Sequence, residues 1–169
     1  MRIPASRIPA LSRDMTSALL SDGDVESESP NELQKDIEAV LSQYVRDEQA
    51  VTDRARELLD ARRLPPSELG KMKRLVADER KFKIGDEAVD YILDQLIEFL
   101  MHSSNVDEIY CEDVVLRRKL RLPLRQLQAA EESLEQEVRG QLKHVKEGTA
   151  VWDVEYRRMM EDIKRRKGL

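Results

Sequence analysis

The sequence predicts an all-α protein made of two tandem three-helix repeats. Of its 169 residues, 37% are charged, 40% are hydrophobic and only 4% are aromatic, a composition typical of long amphipathic helices with aliphatic cores. Apolar residues recur at three- and four-residue steps through most of the chain, which is the period of one helix face. The pattern of the first half returns in the second, which indicates an internal duplication.

Three helices are predicted in the first half. The first ends at the turn around Gly23, because glycine readily takes the left-handed conformation that terminates helices. The second starts with a capping pattern at residues 29–32 and is long, ending only before Pro65. The third begins after Ser67, whose hydroxyl can cap it, and ends at a basic segment before Gly85.

Three further helices are predicted in the second half. Residues 86–102 form the most apolar of them, with one narrow acidic stripe, so we expect this helix to be buried on most of its circumference and to organise the core. The fifth helix is long, and Pro123 in its middle predicts a kink, because proline removes a backbone hydrogen bond. The last helix begins after Thr149, which can cap it.

The internal repeat predicts two domains of nearly equal length. The offset between the halves is 81 residues where Ile8 aligns with Val89, and 84 residues where Met72 aligns with Tyr156. It changes by only a few residues, at loops. We therefore predict one helical repeat in residues 1–84 and a second in residues 85–169.

Charge follows the same plan, around a net value of −5. Residues 22–60 hold twelve acids and four bases, and residues 86–113 hold nine acids and no base. The segments 71–83 and 157–167 each hold six bases and two acids, whereas 117–125 holds five bases and no acid. Acidic and basic helices can balance each other through exposed ion pairs, and such runs can also mark partner sites.

Four groups of residues in the first half carry a family resemblance. They are the start Met1-Arg2-Ile3, the turn Asp22-Gly23, the long-helix segments 46–48 and 56–59, and the closing segment 72–80. Through them the chain resembles the bacterial proteins classed as domain of unknown function 507, and the internal repeat implies two tandem copies. The resemblance implies a small helical intracellular protein and contributes no activity, cofactor or catalytic residue.

One constellation resembles a metal site. Asp90, Asp94, Glu98 and His102 follow each other at four-residue steps, a spacing that places side chains on one helix face. A di-iron bundle instead needs Glu-x-x-His on each of two helices. We therefore expect a solvated acidic stripe and no metal or other cofactor.

No other pattern indicates an enzyme or a secreted protein. The single cysteine, Cys111, has no flanking nucleophile signature and lies far from His144 in sequence. The six glycines never cluster into a phosphate-binding loop. The chain has no apolar run long enough for a signal peptide or membrane span, so we expect a cytoplasmic protein without membrane contact.

These observations favour a non-enzymatic protein-binding or scaffold module. The alternative is a nucleic-acid-associated protein that uses the basic helices 71–83 and 157–167, since clustered bases release counterions from phosphates. A weaker alternative is a metal-dependent enzyme at the acidic stripe of helix 86–102. The candidate interaction residues are Lys71, Lys73, Arg74, Arg80, Lys81, Trp152, Arg157, Arg158, Lys164 and Arg165.

Overall fold

A computed structural model describes all residues from 1 to 169 and contains six α-helices. They are α1 (Ile8–Leu20), α2 (Pro30–Arg62), α3 (Leu69–Glu79), α4 (Ala88–His102), α5 (Asp113–Gln141) and α6 (Ala150–Lys167). The only strands are two short ones, β1 (Val25–Glu26) and β2 (Glu108–Ile109), which pair antiparallel. The all-α prediction is confirmed.

Helix α2 is the common packing surface of the first 125 residues, because α1, α3 and α4 all contact it. It begins and ends where the sequence predicts, although the hydroxyl of Ser29 makes no capping hydrogen bond. One side of it is buried over its whole length through Leu33, Ile37, Leu41, Tyr44, Val51, Ala55 and Leu59.

Helix α4 is less buried than the sequence predicts. Its apolar side is enclosed through Ala88, Ile92, Leu93, Leu96, Ile97 and Leu100. Six other residues, among them Gln95, Glu98 and Met101, are exposed. The prediction of burial on most of the circumference is therefore wrong, because part of the exposed side borders an open groove toward α2 and the aspartates of another part pair with arginines of α5.

The two strands join the loop that follows α1 to the loop that follows α4. Val25 pairs with Ile109, and Val25 is buried. Nearby, the side-chain amide of Asn105 donates to Asp36, and the hydroxyl of Ser27 donates to the Asn105 carbonyl. The strands occupy equivalent places in the element order of the two halves. The duplication itself stays a prediction.

The chain divides into two compact units, Met1–Arg125 and Gln126–Leu169. The first unit includes α4 and the start of α5, so this division does not coincide with the predicted domain boundary between residues 84 and 85. The physical reason is long-range: β1 pairs with β2, and α4 packs on α2. The smaller unit has its own apolar cluster, composed of Leu134, Val138, Leu142 and Ile163 with Tyr156, Met159 and Met160 packed against it.

Helix α5 passes through Pro123 as one helix, so the proline does not end it. Pro123 is buried and lies two residues before the end of the first unit. Because proline has no backbone N–H, the carbonyl of Lys119 lacks its usual hydrogen bond within the helix.

Fragments cut at the two boundaries are expected to behave differently. A fragment of residues 1–125 retains α4 and the β1–β2 pair, so it should unfold in one cooperative urea transition followed by circular dichroism. A fragment of residues 1–84 leaves the α4 side of α2 uncovered and should unfold without cooperativity. A 1–84 fragment as stable as 1–125 would contradict this division of the chain.

Candidate interaction site on helix α5

The first predicted basic segment, 71–83, has acidic residues among its neighbours. Lys71 lies 3.6 Å from Glu68 in an exposed ion pair. Lys73 and Arg74 border a cavity of about 680 Å³. The charged side chains that line this cavity are Arg2, Lys73, Arg74, Glu48, Asp78, Asp86 and Glu87. With four acidic and three basic side chains, the cavity has no excess of positive side chains.

The end of this segment is exposed and irregular. Arg80 caps α3, and Lys81 follows in the left-handed region at φ 54°. Both side chains are exposed. The segment therefore presents scattered bases to solvent, not one continuous stripe.

The second basic segment, 157–167 in the smaller unit, is partly neutralised by α5. The Lys164 ammonium lies 3.7 Å from Glu131, and Lys167 pairs with Glu137. Four arginines of this segment stay exposed, with at most long contacts within their own helix: Arg157, Arg158, Arg165 and Arg166.

Trp152 belongs to the packing of the smaller unit. Its ring stacks on Tyr156 with centroids 4.8 Å apart, and the Arg139 guanidinium lies 5.7 Å from the indole centroid. Its backbone N–H donates to the hydroxyl of Thr149 at 3.2 Å, which confirms the predicted cap of α6. Trp152 is therefore half-buried within its own unit.

The four residues of the acidic stripe of α4 have two different surroundings, two of them facing α5 and two facing α2. Asp94 pairs with Arg117 of α5 at 2.7 Å, and Asp90 pairs with Arg121. Glu98 and His102 border the groove toward α2. The cause is helix geometry, since each four-residue step turns about 40° beyond a full turn. No three His, Cys, Asp or Glu residues are grouped so that they could hold a metal ion.

The two remaining catalytic candidates lie in different compact units. Cys111 is in the unit that ends at Arg125, and His144 is in the unit that starts at Gln126. Burial raises the pKa of the Cys111 thiol, and the charge of Asp24 raises it further. This thiol stays protonated near neutral pH and is a weak nucleophile.

A stripe on the exposed face of α5 combines apolar and basic side chains. Val114, Arg118, Leu122 and Arg125 follow each other at four-, four- and three-residue steps, so they share one face of the helix. Val114 is 65% exposed and Leu122 is 59% exposed. The stripe lines a shallow cavity of about 630 Å³ in the larger unit. We call these four residues the α5 stripe.

The bases around the α5 stripe fall into two kinds. Arg117, Lys119 and Arg121 make ion pairs with aspartates. Arg118 and Arg125 are exposed and make no ion pair. Of the five bases in residues 117–125, only these two are free to meet a carboxylate or phosphate of another molecule.

Lys119 fixes the start of α5 against the turn that follows α1. Its ammonium lies 2.7 Å from Asp22 and 2.6 Å from Asp24, and it donates to the carbonyl of Ala18. The side chain is only 11% exposed. Hydrogen bonds to Asp22 and Asp24 raise the pKa of Lys119, and the bond from Lys119 lowers the pKa of Asp22.

The sequence model of the family described as "Protein of unknown function (DUF507)" matches residues 1–169. The chain belongs to this family. The resemblance seen in the first half is thereby confirmed, and the match extends as one span through the second half. A search of curated proteins finds no match.

None of the six helices in this family member combines the length and apolarity that crossing a bilayer requires. The sequence contained one signal for the α5 stripe, the run of five bases without an acid at 117–125. Sequence reasoning did not select it, because pairing with distant aspartates decides which bases are free.

Replacement of Lys119 by methionine tests the contact between α5 and the α1 turn. The variant keeps the aliphatic stem but loses the ion pairs, so we expect the Tm near neutral pH to fall by roughly 2 to 4 °C. The lowered pKa of Asp22 stabilises the fold above the ordinary aspartate pKa, and this contribution is lost as the pH falls through the lowered value. The Tm difference should therefore shrink below about pH 4. A difference that stays constant down to about pH 2 would show that Asp22 plays no part.

Proposed function

We propose that the protein is a non-enzymatic binding module whose α5 stripe docks an acidic amphipathic helix of a partner protein. The observation that carries the proposal is the pairing of two exposed aliphatic side chains, Val114 and Leu122, with two unpaired arginines, Arg118 and Arg125. An exposed apolar stripe with a basic edge is complementary to a helix with an apolar stripe and an acidic edge.

The apolar part of the stripe has the dimensions of a helix-docking surface. Val114 and Leu122 are eight residues apart, which corresponds to about 12 Å along the axis of α5. Apolar residues two turns apart on a partner helix match this distance. Full burial of one such side chain contributes about 1.5 to 3 kcal/mol, so two of them support a weak, reversible complex.

The two arginines give the surface its preference for an acidic partner. Exposed ion pairs contribute only about 0 to 1 kcal/mol each, so Arg118 and Arg125 add less affinity than the aliphatic residues. Their main effects are a faster encounter and the exclusion of basic partners. Arginine also binds a carboxylate with two parallel hydrogen bonds, which fixes the register of the partner helix.

Nucleic-acid binding is the second candidate, and the exposed arginines of α6 favour it. Arg157, Arg158 and Arg165 can reach phosphates. Against it stand the net charge of −5 and the pairing of Lys164 with Glu131.

The metal-enzyme alternative has weaker support, because Asp90 and Asp94 are engaged by arginines of α5. We also propose a cytoplasmic location, since one cysteine permits no intrachain disulfide.

A designed peptide tests the docking proposal. It is about 18 residues long, because shorter helices are marginal in water, and carries leucines two turns apart with glutamates beside them. Fluorescence anisotropy with the full chain is expected to give a Kd of about 1 to 100 µM. Arg118→Glu with Arg125→Glu should weaken binding at least tenfold, and Val114→Ser with Leu122→Ser should have a similar effect.

The matched control is Arg157→Glu with Arg158→Glu, which reverses two exposed arginines of α6. Binding of the peptide should be unchanged in this variant, and a peptide with lysines in place of glutamates should not bind. If the α6 variant and the Arg118→Glu, Arg125→Glu variant lose the same amount of peptide affinity, the binding is nonspecific charge attraction and the α5 stripe is not the docking site. A tight complex with mixed-sequence RNA or duplex DNA at near-physiological salt, lost in the α6 variant, would favour the nucleic-acid function.

A further inference from the structure

A second cavity in the larger unit has a different chemistry from the α5 stripe. It lies between α2 and α4, has a volume of about 470 Å³ and is open to solvent. This volume is in the range of sites for small organic ligands. Its walls include the aromatic rings of Tyr44, Tyr91 and Phe99.

Two rings of the aromatic wall, Tyr44 and Tyr91, pack against buried Phe82. The rings of Tyr44 and Phe82 stack with centroids 5.1 Å apart, and Tyr91 meets Phe82 edge-on at 5.2 Å. Tyr44 and Tyr91 are themselves 6.2 Å apart. Because these three contacts fix one another, the part of the wall formed by Tyr44 and Tyr91 is in place before any ligand arrives, which lowers the entropic cost of binding.

The charge that faces this wall is negative. Asp47 on α2 and Glu98 on α4 line the cavity, and no lysine or arginine does. The side-chain amide of Gln43 donates to Asp47 at 2.9 Å, whereas Glu98 makes no ion pair. Burial raises the pKa of Tyr91, and the charge of Asp47 raises it further. The phenol therefore stays neutral near neutral pH.

His102 at the mouth of the cavity does not supply a counter-charge by contact with these acids. Its Nδ1 lies 2.9 Å from the backbone carbonyl of Glu98, one turn earlier in α4. Because a carbonyl oxygen can only accept, Nδ1 is the donor in this bond.

We infer that the groove between α2 and α4 binds an organic cation, an ammonium or guanidinium group on an apolar stem. The cation lies against the faces of Tyr91 and Phe99, between the carboxylates of Asp47 and Glu98. Cations are attracted to aromatic faces by the ring quadrupole, and a low-dielectric wall strengthens their attraction to carboxylates. The site does not depend on the proposed docking function of α5.

Two sources can provide this chemistry, a free amine and an arginine side chain of a peptide. The small probes are phenethylamine and phenylguanidine, and the peptide probe is Gly-Phe-Arg-Gly with blocked ends. Phenylurea is the neutral control and phenylacetate is the anionic one. Calorimetry and chemical shifts of the Tyr91 and Phe99 rings report binding to the full chain. At least one cationic probe should bind at least tenfold more tightly than phenylurea, and the tighter of the two sources identifies the ligand.

Matched variants locate the site. Asp47→Asn with Glu98→Gln removes both carboxylates and should weaken the cationic probes at least tenfold. Asp53→Asn with Glu57→Gln removes the same charge elsewhere on α2, where Gln49 bonds Asp53 as Gln43 bonds Asp47, and should leave binding unchanged. Tyr91→Leu, at a half-exposed position, should weaken binding at least fivefold without lowering the Tm greatly.

Three results would overturn the inference: equal binding of phenylurea, equal loss in both carboxylate variants, or no shift of the Tyr91 and Phe99 rings at millimolar probe. Binding of the acidic peptide to the α5 stripe tests whether the two sites are independent. Asp47→Asn with Glu98→Gln should not affect its binding, so failure at one site is distinguishable from failure at the other.

Discussion

The burial of one side of α2 is the constraint on which the larger unit depends. The helix has 33 residues and is about 50 Å long. Its seam, from Leu33 to Leu59, is covered by α1, α3 and α4, which contact one another less than they contact α2. The position of α4 on this seam has two consequences. Its uncovered side leaves a groove toward α2, and its aspartates Asp90 and Asp94 meet the basic start of α5.

Ion pairing separates structural bases from available ones. In the run 117–125, three of the five bases neutralise aspartates, and these contacts tie α5 to α4 and to the turn after α1. What is left is a stripe with two free guanidinium groups and two exposed aliphatic residues. The same reasoning makes the other basic segments weaker candidates for an interaction site, because 71–83 borders four acids and part of 157–167 is paired with α5.

The features that the sequence predicted well are local ones. Pro30 and Thr149 mark helix starts through their own backbone and hydroxyl chemistry, and the periodicity of α4 identifies its buried face. Features that depend on distant residues have no local signal in the sequence. The boundary at Arg125 follows from β1–β2 pairing and from Lys119. The α2–α4 groove exists because about half of α4 is uncovered, and no spacing within α4 encodes that.

Hydrogen exchange of the wild type and Leu41→Ala tests the central role of the α2 seam most directly. Leu41 is fully buried, and truncation of such a leucine costs about 3 kcal/mol, or roughly a hundredfold in protection. The seam predicts that the most protected amides of α1, α2, α3 and α4 lose protection together, while those of residues 131–165 are unchanged. Loss confined to α2, with α4 still fully protected, would contradict it.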